Sequence, residues 1–395
     1  MEVSSVARGT ASGLARALGE NGKLEKQEFS HDIETIAATS GLLHDLGNPP
    51  FGHAGEEAIR EWFRRHITND DRKEFAELSE SEREDLLHFE SNAQTLRLLT
   101  KLQILSDRYG LNLTAGTLSA VCKYTASSTE LKNKDRPRSK KKLGYFTSEL
   151  PVIVKIREVT GTGDARHPIA IIVEAADDIV YSVVDIEDGI KKGVIRWSLV
   201  RELLSPEIER IGKKLFEACL DAAEKKVDSG EFAARGQNRD EGISQYFRTL
   251  VIGKASAAVQ KAFLNHHDQI MSGTFHDELL YKSEVGPLYH LLKNNVGIPY
   301  VYASKETLRL ELLGCEVIHS LMDIFWKADN SPKASKFAKK TYALLSKNYR
   351  TIFEKPDEHV ATLSKTYRKA LLITDYICGM TDSFAVNLHN ELRHG

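Results

Sequence analysis

Cysteine is scarce in this chain of 395 residues, and Cys122, Cys219, Cys315 and Cys378 lie far apart with no C-x-x-C among them. That spacing excludes a disulfide framework and a zinc knuckle, and it fits a reducing compartment. Long apolar runs are missing as well. No stretch approaches the ~18 residues that a membrane-spanning helix needs. Arg8 and Arg16 interrupt the opening MEVSSVARGTASGLARAL, which does not read as a secretory leader. Net charge is nearly absent, with 54 Lys and Arg against 56 Asp and Glu. A surface that coats nucleic acid generally is thereby excluded, and any anion binding must come from local placement. No repeat of solenoid period is found. The expectation is a soluble, cytoplasmic protein with no membrane partner.

Helical periodicity, by contrast, is abundant. Apolar residues recur at three- and four-residue spacing over 2–18, 33–46, 55–66, 92–108, 169–191, 199–227, 243–264, 305–326, 333–353 and 357–379. Strand-like alternation is rare. VIVKIREV (152–159) is its best candidate and places a short β-hairpin near 145–160. The expected class is all-α. The clearest break is KNKDRPRSKKK (132–142), with seven basic residues against one Asp. It reads either as a solvated loop or as a basic lid over a polyphosphate. Weak binding of single-stranded nucleic acid is a minor role open to it.

The chemistry concentrates in HDLGNPPFGHAGEEAI (44–59). A His-Asp dipeptide alone says little, since it also occurs at His31-Asp32, His267-Asp268 and His276-Asp277. Only around His44 and Asp45 does the context explain a cation. The periodic stretch 33–46 predicts a helix stopped by Gly47, which puts the pair in its last turn. Free carbonyls and the negative end of the helix dipole favour a cation there. Asn48-Pro49-Pro50 forces a turn, and Gly52 lets the backbone pass close to whatever is bound. His53 and Glu56 stand three apart at the start of the next helix and point the same way, as an imidazole oriented by a carboxylate does in an acid/base unit.

A third donor is expected from IIVEAADDIVYSVVDIEDGI (171–190). Asp177, Tyr181 and Asp185 recur every fourth residue, on one face of an otherwise apolar helix. Buried carboxylates are costly unless paired or metal-bound, whereas Asp178, Glu187 and Asp188 read as a water-exposed acidic edge. Imidazole with carboxylate oxygens suits a divalent metal such as Mn or Mg, with Fe, Co and Ni compatible, better than a thiolate-type zinc site. Such a cation would bind a phosphate oxygen and generate a nucleophile from water at neutral pH.

On these residues the chain resembles the bacterial deoxyguanosine triphosphate triphosphohydrolase (dGTPase) family of the HD-domain superfamily. The likeness covers essentially the whole length. It is carried by HDLGNPPFGHAGE (44–56), HFESNAQTLRLL (88–99), VCKYT (121–125), EAADDIVYSVVDIED (174–188) and DYICGMTD (375–382), in the family's order. The resemblance implies an HD-domain helical fold with C-terminal helical additions: a phosphohydrolase core over 1–200 and a helical part over 201–395 packed on it. It also implies hydrolysis of dGTP, or of dNTPs, to deoxynucleoside and inorganic triphosphate by attack at the α-phosphate, in a homo-oligomer. His44, Asp45 and Asp177 would be the metal ligands, and His53 with Glu56 the catalytic pair. Tyr181 would lie where a 2′-hydroxyl clashes, and Asp185 would accept from the 3′-hydroxyl. Asn92 and Lys123 would contact substrate, Lys123 on the phosphates.

One departure from the family pattern stands out. The family carries a further metal-ligating His in a run of the type T-H-S-x-E-V, and Met1-Glu2-Val3 resembles the end of that run. The expectation is a chain without the first ligand and the nucleotide-contacting segment before it, either as an incomplete gene product or as a natural short form. Two rival readings follow. One is a nucleotide-binding regulatory or scaffold protein with impaired catalysis. The other is an HD phosphohydrolase acting on another nucleotide, against which Tyr181 and Asp185 argue.

Overall fold

Buried positions at helical spacing set the architecture. The computed structural model describes residues 1–68, 73–103, 109–210, 214–230 and 238–394. Among the described residues there is no strand, only an isolated bridge between Ala126 and Leu143, and the rest of the regular structure is helix. The chain is therefore all-α, as its periodicity implies. Parts of two predicted helices, 104–108 and 211–213, lie outside the described residues. No helix among the described residues is long and apolar enough to cross a membrane. The chain divides into two units, each assembled from two separate stretches: Met1–Leu42 with Pro168–Leu308, and Leu43–His167 with Arg309–Gly395.

In the first unit, the helices Glu2–Glu20, Pro168–Lys191 and Arg239–Asn265 pack on one another. Pro168–Lys191 commits Ile172, Ile179, Val183, Ile186 and Ile190 to the core, where they meet Leu14, Leu18, Val259 and Ala262. Asp177 and Asp185 are half-buried on this helix and Tyr181 is exposed. Glu187 corrects the expectation of a solvated acidic edge. It is buried on the core side, where Arg248 Nε at 3.1 Å and Lys191 compensate its charge. Asp178 and Asp188 are half-buried rather than exposed.

In the second unit, Gly52–Thr68, the part of Lys305–Trp326 from Arg309 onward, and Lys365–Cys378 share a core around Ile59, Trp62, Phe63, Ile318, Leu321 and Phe325. A smaller cluster gathers Leu96, Leu99, Ile153 and Ile156. Here the β-hairpin expected near 145–160 is overturned, because Leu150–Thr160 is a helix. Its inward positions, Ile153 and Ile156, are three apart, while Val154 and Val159 face water. Pro151 opens the helix and Gly161, at φ 66°, closes it. This is the Pro-start, Gly-stop signature, and it outweighs the β-propensity of Val and Ile. A buried ionic knot ties the motif stretches of this unit together. Arg97 donates to both carboxylate oxygens of Asp375 at 2.8 and 2.7 Å and to Glu149 Oε1 at 2.9 Å, while Gln94 Nε2 donates to Asp375 Oδ1 at 2.9 Å.

Candidate active site

In the second unit, the stretch from His44 to the next helix is held in place by backbone contacts. The preceding helix, Phe29–Leu43, stops one residue short of His44, so the His-Asp pair sits in the turn just past the helix end. His44 Nε2 and Asp45 Oδ2 face each other at 3.1 Å, with Asp45 open to solvent. Gly47 N donates to Thr95 Oγ1 at 3.0 Å. A Cβ at Gly47 would fall 2.3 Å from Thr95 N, so only glycine permits this approach. Phe51 and Gly52 follow one another in the left-handed region at φ 66° and 54°, and Phe51 N donates to Asp382 Oδ1 at 2.9 Å. A Cβ at Gly52 would meet open space. Gly52 thus serves the turn, and the close approach belongs to Gly47.

Glu56 and His53 are placed very differently. Glu56 is 1% exposed and accepts from Ser91 N at 2.9 Å and from the Ser91 hydroxyl. Arg60 Nη1 lies at 2.9 Å and Lys142 Nζ at 3.6 Å. Burial pushes its carboxyl up most strongly, but Lys142, the two Ser91 bonds and Arg60 together hold it below the ordinary Glu range. His53 is exposed and has no hydrogen-bond or ion-pair partner among the described residues. The structure thus commits Glu56 to Ser91, Arg60 and Lys142 and leaves the His53 ring facing solvent.

Glu90 completes this network. Burial first, and then the neighbouring Glu56 charge, raise its carboxyl, while Lys142 Nζ sits 3.0 Å from it. The two carboxyls behave as a pair in which Glu56 keeps the charge and Glu90 is driven toward the protonated form. Asn92 Nδ2 donates to Glu90 Oε1 at 2.8 Å, which brings one predicted substrate contact to this network. Lys123 is half-buried at the end of the helix Ala115–Val121. The basic run 132–142 is largely spoken for: Lys132 pairs with Glu80, Lys140 with Glu130 at 2.6 Å, and Lys142 with Glu56 and Glu90. Glu90, Ser91 and Lys142 escaped the sequence reading. Glu90 and Ser91 lie inside the HFESN motif, whereas Lys142 looks like any other residue of its run.

In the first unit, Tyr181 stacks on Tyr302 with ring centroids 5.7 Å apart and planes 17° from parallel. The Tyr302 hydroxyl donates to Asp185 Oδ2 at 2.6 Å. Burial raises the Asp185 carboxyl and the hydrogen bond from Tyr302 opposes it; burial likewise raises the Tyr181 phenol. Tyr302 ends Leu292–Tyr302, a stretch wound as a π-helix with Pro299 inside, the irregular geometry that re-aims side chains at functional sites. No sequence signal singled it out.

For a cation, the donor chemistry at His44 and Asp45 fits. An imidazole nitrogen beside a carboxylate oxygen is the set that Mn, Mg or Fe accepts, and the exposed Asp45 leaves room for solvent or phosphate oxygens. Asp177 is a half-buried carboxylate on Pro168–Lys191 in the first unit. A group of three donors also occurs among the described residues, at Glu61, Cys315 and His319.

Residues 282–391 match the family described as a phosphohydrolase-associated domain. Along 99% of its length the chain is 37% identical to a deoxyguanosinetriphosphate triphosphohydrolase-like protein of Listeria innocua, covering 85% of that relative. It is 29% identical to the deoxyguanosinetriphosphate triphosphohydrolase of Serratia proteamaculans, with 99% of this chain and 85% of that one aligned. A deoxyguanosinetriphosphate triphosphohydrolase-like protein of Synechocystis is 29% identical over the whole chain, which spans 84% of it.

Proposed function

This chain belongs to the deoxyguanosinetriphosphate triphosphohydrolase family, and from that premise we propose that it hydrolyses dGTP, or dNTPs more widely, to deoxynucleoside and inorganic triphosphate with the help of a divalent metal. The observation that carries this reading is the match along 99% of the chain to a relative bearing that name, at 29% identity, and to one named as like it, at 37%. In the second unit, His44 and Asp45 would hold the metal, and in the first unit Asp177 would be the further donor. Bound there, a divalent cation supplies Lewis-acid neutralisation of charge on the phosphoryl oxygens.

The chain's own residues do the rest. Water attacks the α-phosphorus, the bond from phosphorus to O5′ breaks, and the deoxyribose oxygen takes a proton as triphosphate departs with the oxygen of water. His53, with its free imidazole nitrogens, is the group proposed to supply that proton. Glu56, fixed by Ser91 and the two cations, would complete the pair by anchoring the first turns of the helix that carries His53. Asn92 and Lys123 would contact substrate, the Lys charge suiting phosphate. Asp185, oriented by Tyr302, would accept from the 3′-hydroxyl, and Tyr181 would crowd a 2′-hydroxyl. Assembly into a homo-oligomer is part of the proposal and is read by light scattering.

Incubation of the purified protein with Mn²⁺ and dGTP in ¹⁸O-labelled water tests the chemistry. Triphosphate carrying the label is expected, together with deoxyguanosine and much slower turnover of GTP. Release of pyrophosphate or monophosphate, or label in the nucleoside, would overturn the assigned bond.

A further inference from the structure

We propose that Glu61, Cys315 and His319 form a transition-metal site of the zinc class within the second unit. Cys315 and His319 stand one turn apart on Lys305–Trp326 and so share a face, and Glu61 comes from Gly52–Thr68. One ligating atom from each lies within 4.8 Å of the other two. The donor set is thiolate, imidazole and carboxylate, which selects zinc or cobalt over the oxygen-seeking Mg.

The imidazole is already oriented for such a role. His319 Nε2 lies 3.0 Å from the carbonyl oxygen of Ala58. A carbonyl only accepts, so Nε2 carries the proton and the lone pair resides on Nδ1. A metal-ligating histidine is held in this way by a backbone carbonyl on its other nitrogen. Cys315 Sγ lies 3.9 Å from Nδ1 and 4.0 Å from Nε2, so the thiol has to swing toward Nδ1 to share a metal with it. With Zn–S about 2.3 Å and Zn–N about 2.1 Å in a tetrahedral site, the two donors would stand about 3.6 Å apart. Small side-chain rotations bridge that difference.

The surrounding packing keeps the two helices in register. Trp62 Nε1 donates to Asp323 Oδ1 at 3.1 Å, and Ile59 and Trp62 pack with Ile318 and Leu321 in one core. Among the described residues Glu61 pairs with Arg65 at 3.3 Å, an exposed contact four residues apart that a cation readily replaces. Cys315 is half-buried, whereas Cys122, Cys219 and Cys378 are buried, so a metal reaches this thiol from solvent. Three protein ligands leave the fourth position to water. Binding releases the thiol proton to solvent as the metal–sulfur bond forms.

The test uses the full-length protein, stripped with chelator and titrated with Co²⁺ and then Zn²⁺. A near-ultraviolet sulfur-to-cobalt charge-transfer band is expected at one equivalent and should bleach as Zn²⁺ displaces cobalt. His44, Asp45 and Asp177 contain no sulfur, so the band reports this site alone. Cys315→Ser should abolish it. Glu61→Gln, a change at an exposed side chain that leaves the fold intact, should weaken Co²⁺ affinity on the order of tenfold or more. Zinc should also slow alkylation of the wild-type thiol. A wild-type protein without the band, a band that survives Cys315→Ser in folded protein, or undiminished affinity in Glu61→Gln would each overturn the site.

Discussion

The two units hold their motif carboxylates in opposite ways. In the second unit, Glu56 is enclosed by Ser91, Arg60 and Lys142, with Glu90 alongside, and a few helices away Arg97 is locked to Asp375 and Glu149. In the first unit, Asp185 is half-buried and held by the Tyr302 hydroxyl, which rides on the stack of Tyr302 with Tyr181. A dense network fixes protonation states and positions together, so a change in it registers as stability as well as activity. A single hydrogen bond on a partly solvated carboxyl can be lost without much harm to the fold. Substitutions in the second unit should therefore report mainly on folding, and those in the first mainly on specificity and pH response.

The strongest blow to the dense side is Asp375→Asn. Arg97 is 4% exposed, and removal of one charged partner leaves a buried guanidinium with Glu149 alone. Breaking such a pair costs about 3–5 kcal/mol. Hydrogen exchange followed by mass spectrometry should show faster exchange across Ser91–Arg97 and Lys365–Cys378, with little change in Pro168–Lys191. Equal acceleration in both units would erase the distinction drawn above.

A second effect, of similar origin but tuned by pH, comes from Asp85. Full burial pushes its carboxyl up from 3.8 to about 6, against hydrogen bonds from Ser128, Tyr367 and Thr147. Below the unfolded value both states hold the proton, and between the two values only the folded state does. Stability should therefore fall as pH rises through that window, by roughly 3 kcal/mol at 1.36 kcal/mol per unit. Urea midpoints measured against pH should show this decline in the wild type and a much flatter profile in Asp85→Asn. Parallel profiles would mean that Asp85 ionises freely in the folded protein.

The same contrast explains what was legible in the sequence. The helical class and most long helices could be read because apolar spacing is local, and Pro168–Lys191 matches its predicted stretch almost to the residue. Leu150–Thr160 was misread because five Val and Ile in so short a run imitate alternation, although Pro151 and Gly161 marked both ends. The string around His44 was legible because its Gly and Pro residues have turn-specific roles, and Gly47 against Thr95 bears out the importance of close backbone approach, at a different glycine from the one expected. The partners of Glu56 were not legible. Ser91 and Lys142 lie 35 and 86 positions along the chain from it, and pairing over such distances leaves no periodic trace. Tyr302 was hidden for the same reason, 117 positions from the carboxylate it binds.

The smallest and most selective effect should come from Tyr302→Phe, which probes the sparse side directly. The variant keeps the aromatic ring, so the stack with Tyr181 and the crowding of a 2′-hydroxyl remain. What it removes is the hydroxyl, and with it the contact to the Tyr181 hydroxyl and the hydrogen bond to Asp185, the latter worth about 1 kcal/mol, or roughly fivefold in kcat/KM for dGTP. That bond favours the ionised carboxylate and opposes the upward push of burial, so its loss should raise Asp185 further. An ionised Asp185 is the form that accepts from a 3′-hydroxyl. The acidic limb of kcat/KM for dGTP should accordingly move to higher pH, while the preference for dGTP over GTP and the urea midpoint at neutral pH change little. A collapse of the dGTP preference with no movement of the acidic limb would show that the hydroxyl of Tyr302 serves the ring stack rather than the carboxylate, and that the first unit reads its sugar through Tyr181 alone.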